Sequence, residues 1–366
     1  SRLYRRGHPR SGALDYEGSP VNILIVKLSA IGDVIHTLAS LAALRELYPK
    51  AHITWVVEEA ASGLVVGHPL LDEVIVLRRK SWIKLLKGGK VGKVLKEARL
   101  FIAQVRARRY DLIIDFHGLF KSAAIVFLSR GKRKLGYDSW QELTRLFYNE
   151  RIHEDMNKHA ADRYLDFPRH LGASVSTAKF ILPLTGETQK QALSLMAKYH
   201  LPDKRFIAIN PIAYWETKLW NNEKFASLGD SVKNELKLDV VFTGSKKEDV
   251  QDIITHMKTG GINLAGQTTL PVLAEIYKRA ACVITTDSGP MHLAAAVGTP
   301  VIALFGPTNP ARTGPYGKGH TVITSNLPCS PCLLRKCPTG QCMKDIMPRQ
   351  VLEATKAVMQ RLPLQK

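Results

Sequence analysis

The sequence predicts an α/β protein made of two Rossmann-like halves. Short runs rich in Val, Ile and Leu alternate with segments of helical apolar spacing, the pattern of parallel βαβ units. The series starts afresh after residues 172–205, a stretch punctuated by Gly172, Pro183, Gly186 and Pro202. A chain of 366 residues is also long enough to bury two separate cores. The boundaries expected are a flexible basic arm over 1–20, an N-terminal domain over 21–180, a C-terminal domain over 181–347 and a last helix over 348–366.

The first strand is expected at 21–27, followed by a turn at 28–33. A helix over 33–48 then carries Val34, Ile35, Leu38, Leu41, Ala42 and Leu44 at helical spacing, and Pro49 closes it. Residues 52–57, 74–77 and 110–116 read as further strands. In parallel sheets ligands bind beyond the carboxyl ends of the strands, where Asp33, Glu58, His117 and Lys121 fall. The second series has strands at 206–210 and 238–242, with a loop carrying Lys218 between them. Strands at 281–284 and 301–305 follow, and a helix at 290–297 lies between these two.

The stretch 285–310 organises the second half. Asp287 and Ser288 stand where a strand hands over to a helix. Ser288 suits the N-cap, Pro290 the first turn, and Gly289 lets a ligand approach the backbone. Free N–H groups and the helix dipole make such a junction an anion site. A carboxylate there would repel phosphate, so Asp287 is expected to face hydroxyl groups. Phosphate on one side and hydroxyls on the other describe a nucleotide-sugar. The bland alternative is one more strand-turn-helix unit with Ser288 as a cap.

The chain carries 52 basic and 32 acidic residues, a net charge of +20. That implies an anionic partner: a phosphorylated substrate, a membrane surface or nucleic acid. Residues 78–109 concentrate it, with twelve Lys and Arg against Glu97 alone, interleaved with Trp82, Ile83, Leu85, Leu86, Val91, Val94 and Leu95. Such a segment fits an anionic membrane surface; a solvated helix face is the alternative. No nucleic-acid motif accompanies it. No apolar run is long enough to span a bilayer, and residues 1–20 lack the apolar core of a signal peptide.

The first turn has neither the Gly-x-Gly-x-x-Gly of dinucleotide binders nor a Walker Gly-Lys-Ser/Thr. It offers Asp33 beside Gly32. Asp33 is either a helix-dipole partner or a general base. Five cysteines, four of them at 329, 332, 337 and 342, do not make a disulfide framework, and the cytosol is the expected compartment. Cys329, Cys332, Cys337 and Cys342 have a spacing open to a structural zinc or to reduced thiols in a Pro-rich loop.

Taken together these segments resemble glycosyltransferase family 9, the bacterial lipopolysaccharide heptosyltransferases. The resemblance covers nearly all of 21–360. It rests on Val-Lys-Leu-Ser-Ala-Ile-Gly-Asp-Val-Ile-His-Thr at 26–37, Trp-Val-Val-Glu-Glu at 55–59 and Asp-Phe-His-Gly-Leu-Phe-Lys-Ser at 115–122. Lys-Leu-Trp at 218–220, Asp-Ser-Gly-Pro-Met-His at 287–292 and Phe-Gly-Pro-Thr-Asn-Pro at 305–310 complete it. The segment at 55–59 and the basic stretch after Leu77 are most similar to the heptosyltransferase I branch. Before Lys218 this chain has Ala213-Tyr214-Trp215 where some family members carry paired threonines.

The resemblance implies a GT-B fold, two Rossmann-like domains facing each other across a cleft, with a last helix returning toward the N-terminal domain. It implies an inverting transfer of L-glycero-D-manno-heptose from ADP-heptose to Kdo2-lipid A, with no cofactor for catalysis. Asp33 would be the base and Lys218 would neutralise the departing diphosphate. Glu248 would bind ribose, Thr268 adenine, and Asp287, Ser288, Gly289 and His292 the heptose and phosphates. Lys121, His159 and Arg163, with Arg78 and Arg79 more loosely, would meet the acceptor. The enzyme would sit on the anionic cytoplasmic face of the inner membrane, with no nucleic-acid partner. Heptosyltransferase II, a nucleotide-sugar epimerase and a basic nucleic-acid-binding protein remain as alternatives.

Overall fold

The computed structural model of the chain describes residues 21–139 and 141–361. The arm expected over 1–20 and the end of the last helix beyond Arg361 lie outside the described residues. The chain forms two compact units. Of the described residues, one takes in 21–29, His36–Met156 and Ala160–Ile181; the other takes in Ala30–Ile35, Asn157–His159 and 182–361.

The first unit is laid out as β1 (Asn22–Val26), α1 (Ile31–Leu47), β2 (His52–Glu58), β3 (Glu73–Leu77), α2 (Arg79–Lys87) and α3 (Val91–Arg106). β4 (Arg109–Asp115), α4 (Phe120–Leu128), β5 (Arg130–Tyr137), β6 (Glu150–Ile152) and α5 (Ala160–His170) complete it. Its sheet runs β3-β2-β1-β4-β5-β6, parallel throughout. The second unit contributes α6 (Gly186–Lys198), β7 (Phe206–Asn210), α7 (Asn222–Ser231), β8 (Asp239–Phe242), α8 (Glu248–His256) and β9 (Ile262–Asn263). α9 (Leu270–Arg279), β10 (Cys282–Thr286), α10 (Gly289–Ala296), β11 (Val301–Phe305) and α11 (Pro310–Thr313) follow. β12 (Thr321–Thr324), α12 (Gln341–Lys344) and α13 (Pro348–Arg361) end the order. Its sheet runs β12-β11-β10-β7-β8-β9, again parallel.

Counted from the first strand of each unit, both sheets have the doubly wound order 3-2-1-4-5-6. This is the GT-B fold. β7, β10 and β11 are buried along their whole lengths, which is why they read as unbroken apolar runs. The apolar face of α13 is spent on the second unit, where Val351, Leu352 and Val358 join Trp220, Phe225 and Val240 in one core. Trp220 Nε1 donates to the Ile346 carbonyl just before that helix, at 3.0 Å.

Parallel register brings the carboxyl ends of the strands level. Thr285 of β10 lies beside Asn210 of β7, and Thr286 beside Leu304 of β11. In the first sheet Val26 lies beside both Val56 and Asp115. Asp115 is fully buried there. Its Oδ1 accepts the N–H groups of His117 and Gly118 at 2.8 and 3.2 Å, shaping the turn into α4. Its Oδ2 accepts from the Tyr148 hydroxyl at 2.7 Å. Burial pushes the Asp115 carboxyl up, against these hydrogen bonds. Tyr148→Phe removes one donor to a buried carboxyl group, so it is expected to cost about 1–3 kcal/mol. Urea unfolding followed by circular dichroism measures this; an unchanged midpoint would mean that the backbone amides alone satisfy Asp115.

Candidate active site

The second unit holds the densest grouping of charged side chains at its strand ends. β10 ends at Thr286, and Asp287 follows, buried. Ser288 takes the N-cap position of α10 with extended backbone (φ −154°), but its side chain makes no cap. Its hydroxyl lies 3.4 Å from Thr285 Oγ1 instead. The expected Ser288 cap is therefore corrected: its side chain reaches back to the strand, Pro290 has no N–H, and Met291 N–H donates to the Ser288 carbonyl at 3.1 Å, which leaves the Gly289 N–H for an anion.

Asp287 does not face hydroxyls alone. Its Oδ2 accepts from Lys218 Nζ at 2.6 Å and from Thr308 Oγ1 at 2.6 Å. Lys218 and Asp287 are 16% and 6% exposed, so this is a largely desolvated ion pair. Lys218 ends the short turn Glu216–Lys218, and its ammonium lies over the Trp215 ring at 4.5 Å. Arg335 approaches the same ring at 5.0 Å, and Thr217 Oγ1 donates to the Leu334 carbonyl at 2.8 Å. The lysine is thus held from both flanks. Thr308 and Trp215 were absent from the sequence-based candidates; Thr308 stands within the 305–310 motif.

The start of α1 packs on the start of α10 within this unit. A Cβ on Gly289 would sit 2.8 Å from Ile31 Cγ2, and one on Gly32 would sit 2.4 Å from His292 Cδ2. Both glycines are required by that approach rather than by a turn. Asp33 lies in the first turn of α1, where Oδ2 reaches the Ala30 N–H at 3.4 Å. His159 Nε2 lies 3.0 Å from the Gly314 carbonyl oxygen, and its ring packs on Tyr316 with centroids 5.0 Å apart. Asp287, Asp33, His159 and Lys218 all act on the His292 imidazole. Burial pushes His292 down to about 4; the two carboxylates oppose this, and His159 and Lys218 add to it. At neutral pH His292 is an uncharged imidazole.

The β8 end supplies a second turn. Asp249 Oδ2 accepts the N–H groups of Ser245 and Lys246 at 2.9 and 2.8 Å, which fixes the loop after Gly244. Glu248 opens α8 as an exposed side chain. Asp249 was not among the candidates, although an Asp four residues after Ser245 is a turn signal. Thr268 is half-buried just before the α9 N-cap, Thr269, whose side chain accepts from the Val272 N–H. Asn210 Nδ2 donates to Thr243, and Thr243 Oγ1 bonds the Tyr277 hydroxyl at 2.8 Å.

The first unit brings two of the acceptor candidates together. Lys121 Nζ and Arg79 Nε donate to Glu58 Oε1 at 3.1 and 3.0 Å, and Lys121 also reaches Ser29 Oγ at 3.1 Å. Burial pushes the Glu58 carboxyl up, but the hydrogen bonds and charges of Arg79 and Lys121 outweigh it and hold it below the usual range. Glu58, which the sequence places at a ligand-binding strand end without a role, is the hub. Arg78 is exposed at the N-cap position of α2. Arg163 is elsewhere: its Nη1 donates to Glu154 Oε1 at 2.8 Å, and its side chain is nearly buried.

At the cysteine loop, whose spacing is open to a structural zinc or to reduced thiols, Cys332, Cys337 and Cys329 all act on the Cys342 thiol. Among the described residues no group of three or more His, Cys, Asp or Glu side chains is placed to hold a metal ion. Hydrogen bonds of a hydroxyl and of the backbone tie the loop to the end of β11. Ser330 Oγ donates to the Gly306 carbonyl at 2.5 Å, and Leu333 N–H to the Pro307 carbonyl at 2.8 Å. Cys337 Sγ accepts the Gly340 N–H at 3.4 Å, which lowers its thiol pKa.

A family model described as glycosyltransferase family 9 (heptosyltransferase) matches residues 98–343. The chain belongs to glycosyltransferase family 9. The family 9 enzyme is 30% identical to lipopolysaccharide heptosyltransferase 1 of Pseudomonas aeruginosa, over 94% of this chain and 97% of the relative. Among solved structures it is similar to the E. coli heptosyltransferase WaaC with ADP (TM-score 0.74, 25% identity, 92% of this chain and 100% of that one). A family 9 glycosyltransferase of Veillonella parvula is similar too (TM-score 0.78, 26% identity, 96% and 100%).

The depressed His292 pKa of the family 9 enzyme has a consequence for stability. Between about 4 and the ordinary 6.5 the unfolded chain binds a proton that the folded chain refuses. Stability therefore rises with pH through that window and is lost as pH falls from 6.5 toward 4. The full loss is roughly 3 kcal/mol. His292→Gln is expected to flatten this part of the pH profile in urea unfolding. An unchanged slope would assign it to another group.

Proposed function

We propose that this enzyme moves L-glycero-D-manno-heptose from ADP-heptose to the Kdo2-lipid A inner core of lipopolysaccharide, inverting the anomeric centre and releasing ADP. The observation that carries the reading is the grouping of Asp33, Asp287, His159 and Lys218 around His292, at the start of α10. It sets a carboxylate that can take a proton near cations and an N–H that can take a diphosphate. The names of the relatives and the ADP in the E. coli WaaC structure support the same donor and acceptor class.

In the proposed step a Kdo hydroxyl oxygen bonds to the anomeric carbon as the bond from that carbon to the diphosphate oxygen breaks. The hydroxyl proton passes to the Asp33 carboxylate. Lys218, still paired with Asp287, donates a further N–H to the departing diphosphate, and the Gly289 N–H at the start of α10 shares its charge. Asp287 and His292 then hold heptose hydroxyls and phosphate oxygens, and Thr308 keeps Asp287 in place. Glu248 takes the ribose and the backbone near Thr268 the adenine. Lys121 and Arg79, gathered on Glu58, meet the Kdo carboxylates and lipid A phosphates, with Arg78, His159 and Arg163 as further acceptor contacts. The enzyme works at the anionic cytoplasmic face of the inner membrane as a peripheral protein. Among the described residues no helix is long and apolar enough to cross a bilayer.

ADP release from ADP-heptose, with mass detection of the product, tests the reading. One heptose added to de-acylated Kdo2-lipid A supports it. Turnover only with an acceptor that already carries a heptose moves the assignment to heptosyltransferase II. Asp33→Ala is expected to lower kcat by about 10²–10⁴ while donor binding is kept; near-normal turnover would remove Asp33 from the chemistry. Lys218→Ala is expected to lower kcat and also weaken donor binding in calorimetry, and unchanged kinetics would point to another cation.

A further inference from the structure

The basic segment after Leu77 folds as α2 and α3, and α2 buries none of its residues. Arg79 on Glu58, Ser81 Oγ on Glu59 Oε2 at 3.0 Å and Trp82 attach it; the Trp82 ring meets Phe101 edge-on at 6.0 Å and its Nε1 donates to Glu97 Oε2 at 2.8 Å. The one acid of the segment thereby accepts a hydrogen bond from Trp82. Ile83 and Leu86 on α2, and Val91, Leu95 and Leu100 on α3, are exposed among Lys84, Lys87, Lys90, Lys93, Lys96 and Arg99.

This surface continues onto the next elements. α3 packs against α4, and Arg106 Nη1 reaches the Leu128 carbonyl at 3.4 Å. On α4 and the turn segment Gln141–Phe147, Phe120, Phe127, Leu143 and Leu146 are 59, 68, 56 and 67% exposed. Phe147 braces both phenylalanines, with centroids 6.3 and 6.1 Å away. Glu142 and Leu143 hold left-handed backbone (φ 52° and 58°), and Glu142 Oε2 accepts the Phe120 N–H at 2.6 Å. The turn is thus tied to α4 in a conformation that leaves Leu143 outside.

We propose that α2, α3, α4 and the turn at 141–147 form one docking face for an anionic bilayer. Phe120, Phe127, Leu143 and Leu146 enter the interfacial layer, and the α2 and α3 lysines meet lipid phosphates. Charge decides the occupant. Protein–protein interfaces are depleted in lysine, whereas a basic helix with bulky apolar side chains is the composition of interfacial membrane segments. The inference rests on the lipid-linked acceptor read above and names the face that meets its membrane.

The test is flotation of the full chain with vesicles containing phosphatidylglycerol and with vesicles of phosphatidylcholine alone. The wild type is expected to bind the first, with affinity falling as salt rises, and to bind the second far more weakly. The variant K84Q/K87Q/K93Q/K96Q should bind at least about 100-fold more weakly. F127S/L146S should bind about 10-fold more weakly with an unchanged thermal midpoint. Both should keep wild-type rates on a water-soluble, de-acylated acceptor. Equal binding to both lipids, or binding untouched by both variants, overturns the proposal. So does tighter binding to duplex DNA than to vesicles, or a wild-type dimer that the substitutions dissociate. Lipid-selective flotation lost in the variants, with no heptose transfer to any acceptor, would keep the docking face and discard the sugar reading.

Discussion

The ion pair between Lys218 and Asp287 is the interaction on which the second unit's site depends. Two charges held largely out of water lose hydration that their mutual attraction barely restores. A similar volume of apolar side chains would fill the space at least as well. The pair is therefore poor evidence of stabilisation and good evidence of use. Its geometry is also over-determined: Thr308 takes the same carboxylate oxygen, Trp215 lies beneath the ammonium, and Thr217 anchors the turn to Leu334. Such a lysine is positioned before an anion arrives, so little ordering remains when one does.

The neutral His292 follows from burial, which disfavours the charged ring more than the Asp287 and Asp33 carboxylates favour it; His159 and Lys218 add to the effect. An uncharged imidazole there can both accept and donate a hydrogen bond, which suits contact with a sugar hydroxyl or a phosphate oxygen. The two glycines make this possible. Without Gly32 the ring could not lie against the first turn of α1, and without Gly289 the α1 and α10 starts could not approach. Asp33 is brought near the same ring by that approach.

The legible parts of the sequence were those whose burial is uniform. β1, β4, β7, β10 and β11 are apolar because both faces are covered, and their runs stand out at a glance. β5 and β6 were illegible for the opposite reason. β5 begins Arg130-Gly131-Lys132-Arg133-Lys134, text that reads as a solvated loop. It is a strand because Leu135, Gly136 and Tyr137 pair into β6 and because Arg133 grips Glu150 through two bonds of 2.8 Å. A pairing made by charged side chains from separate segments leaves no period to find. The site shows the same division. Motif residues at strand ends could be named, but partnerships could not: Asp287 read as a ligand for hydroxyls, and its 69-residue-distant partner lay in another motif. Glu58 was visible at a strand end, yet its role as the hub for Arg79 and Lys121 depends on two helices that bring those cations back to it.

The chain's positive charge is divided between two tasks. Lys218 and Lys121 are each committed to a buried or half-buried carboxylate, and Lys27 is enclosed by the Phe116 carbonyl and the Tyr164 hydroxyl. These cations are set for contact with particular groups and lose little to salt. The lysines of α2 and α3 are exposed, and Glu97 is taken by Trp82. Their charge is felt at a distance and screened readily. Had the net charge served folding, the acids would lie among those helices as i,i+4 partners, as Glu353 does for Arg349 on α13. Their absence from 78–109, save one, leaves the α2 lysines without i,i+4 acidic partners, an arrangement that gains most when an anionic surface supplies the missing counter-charge.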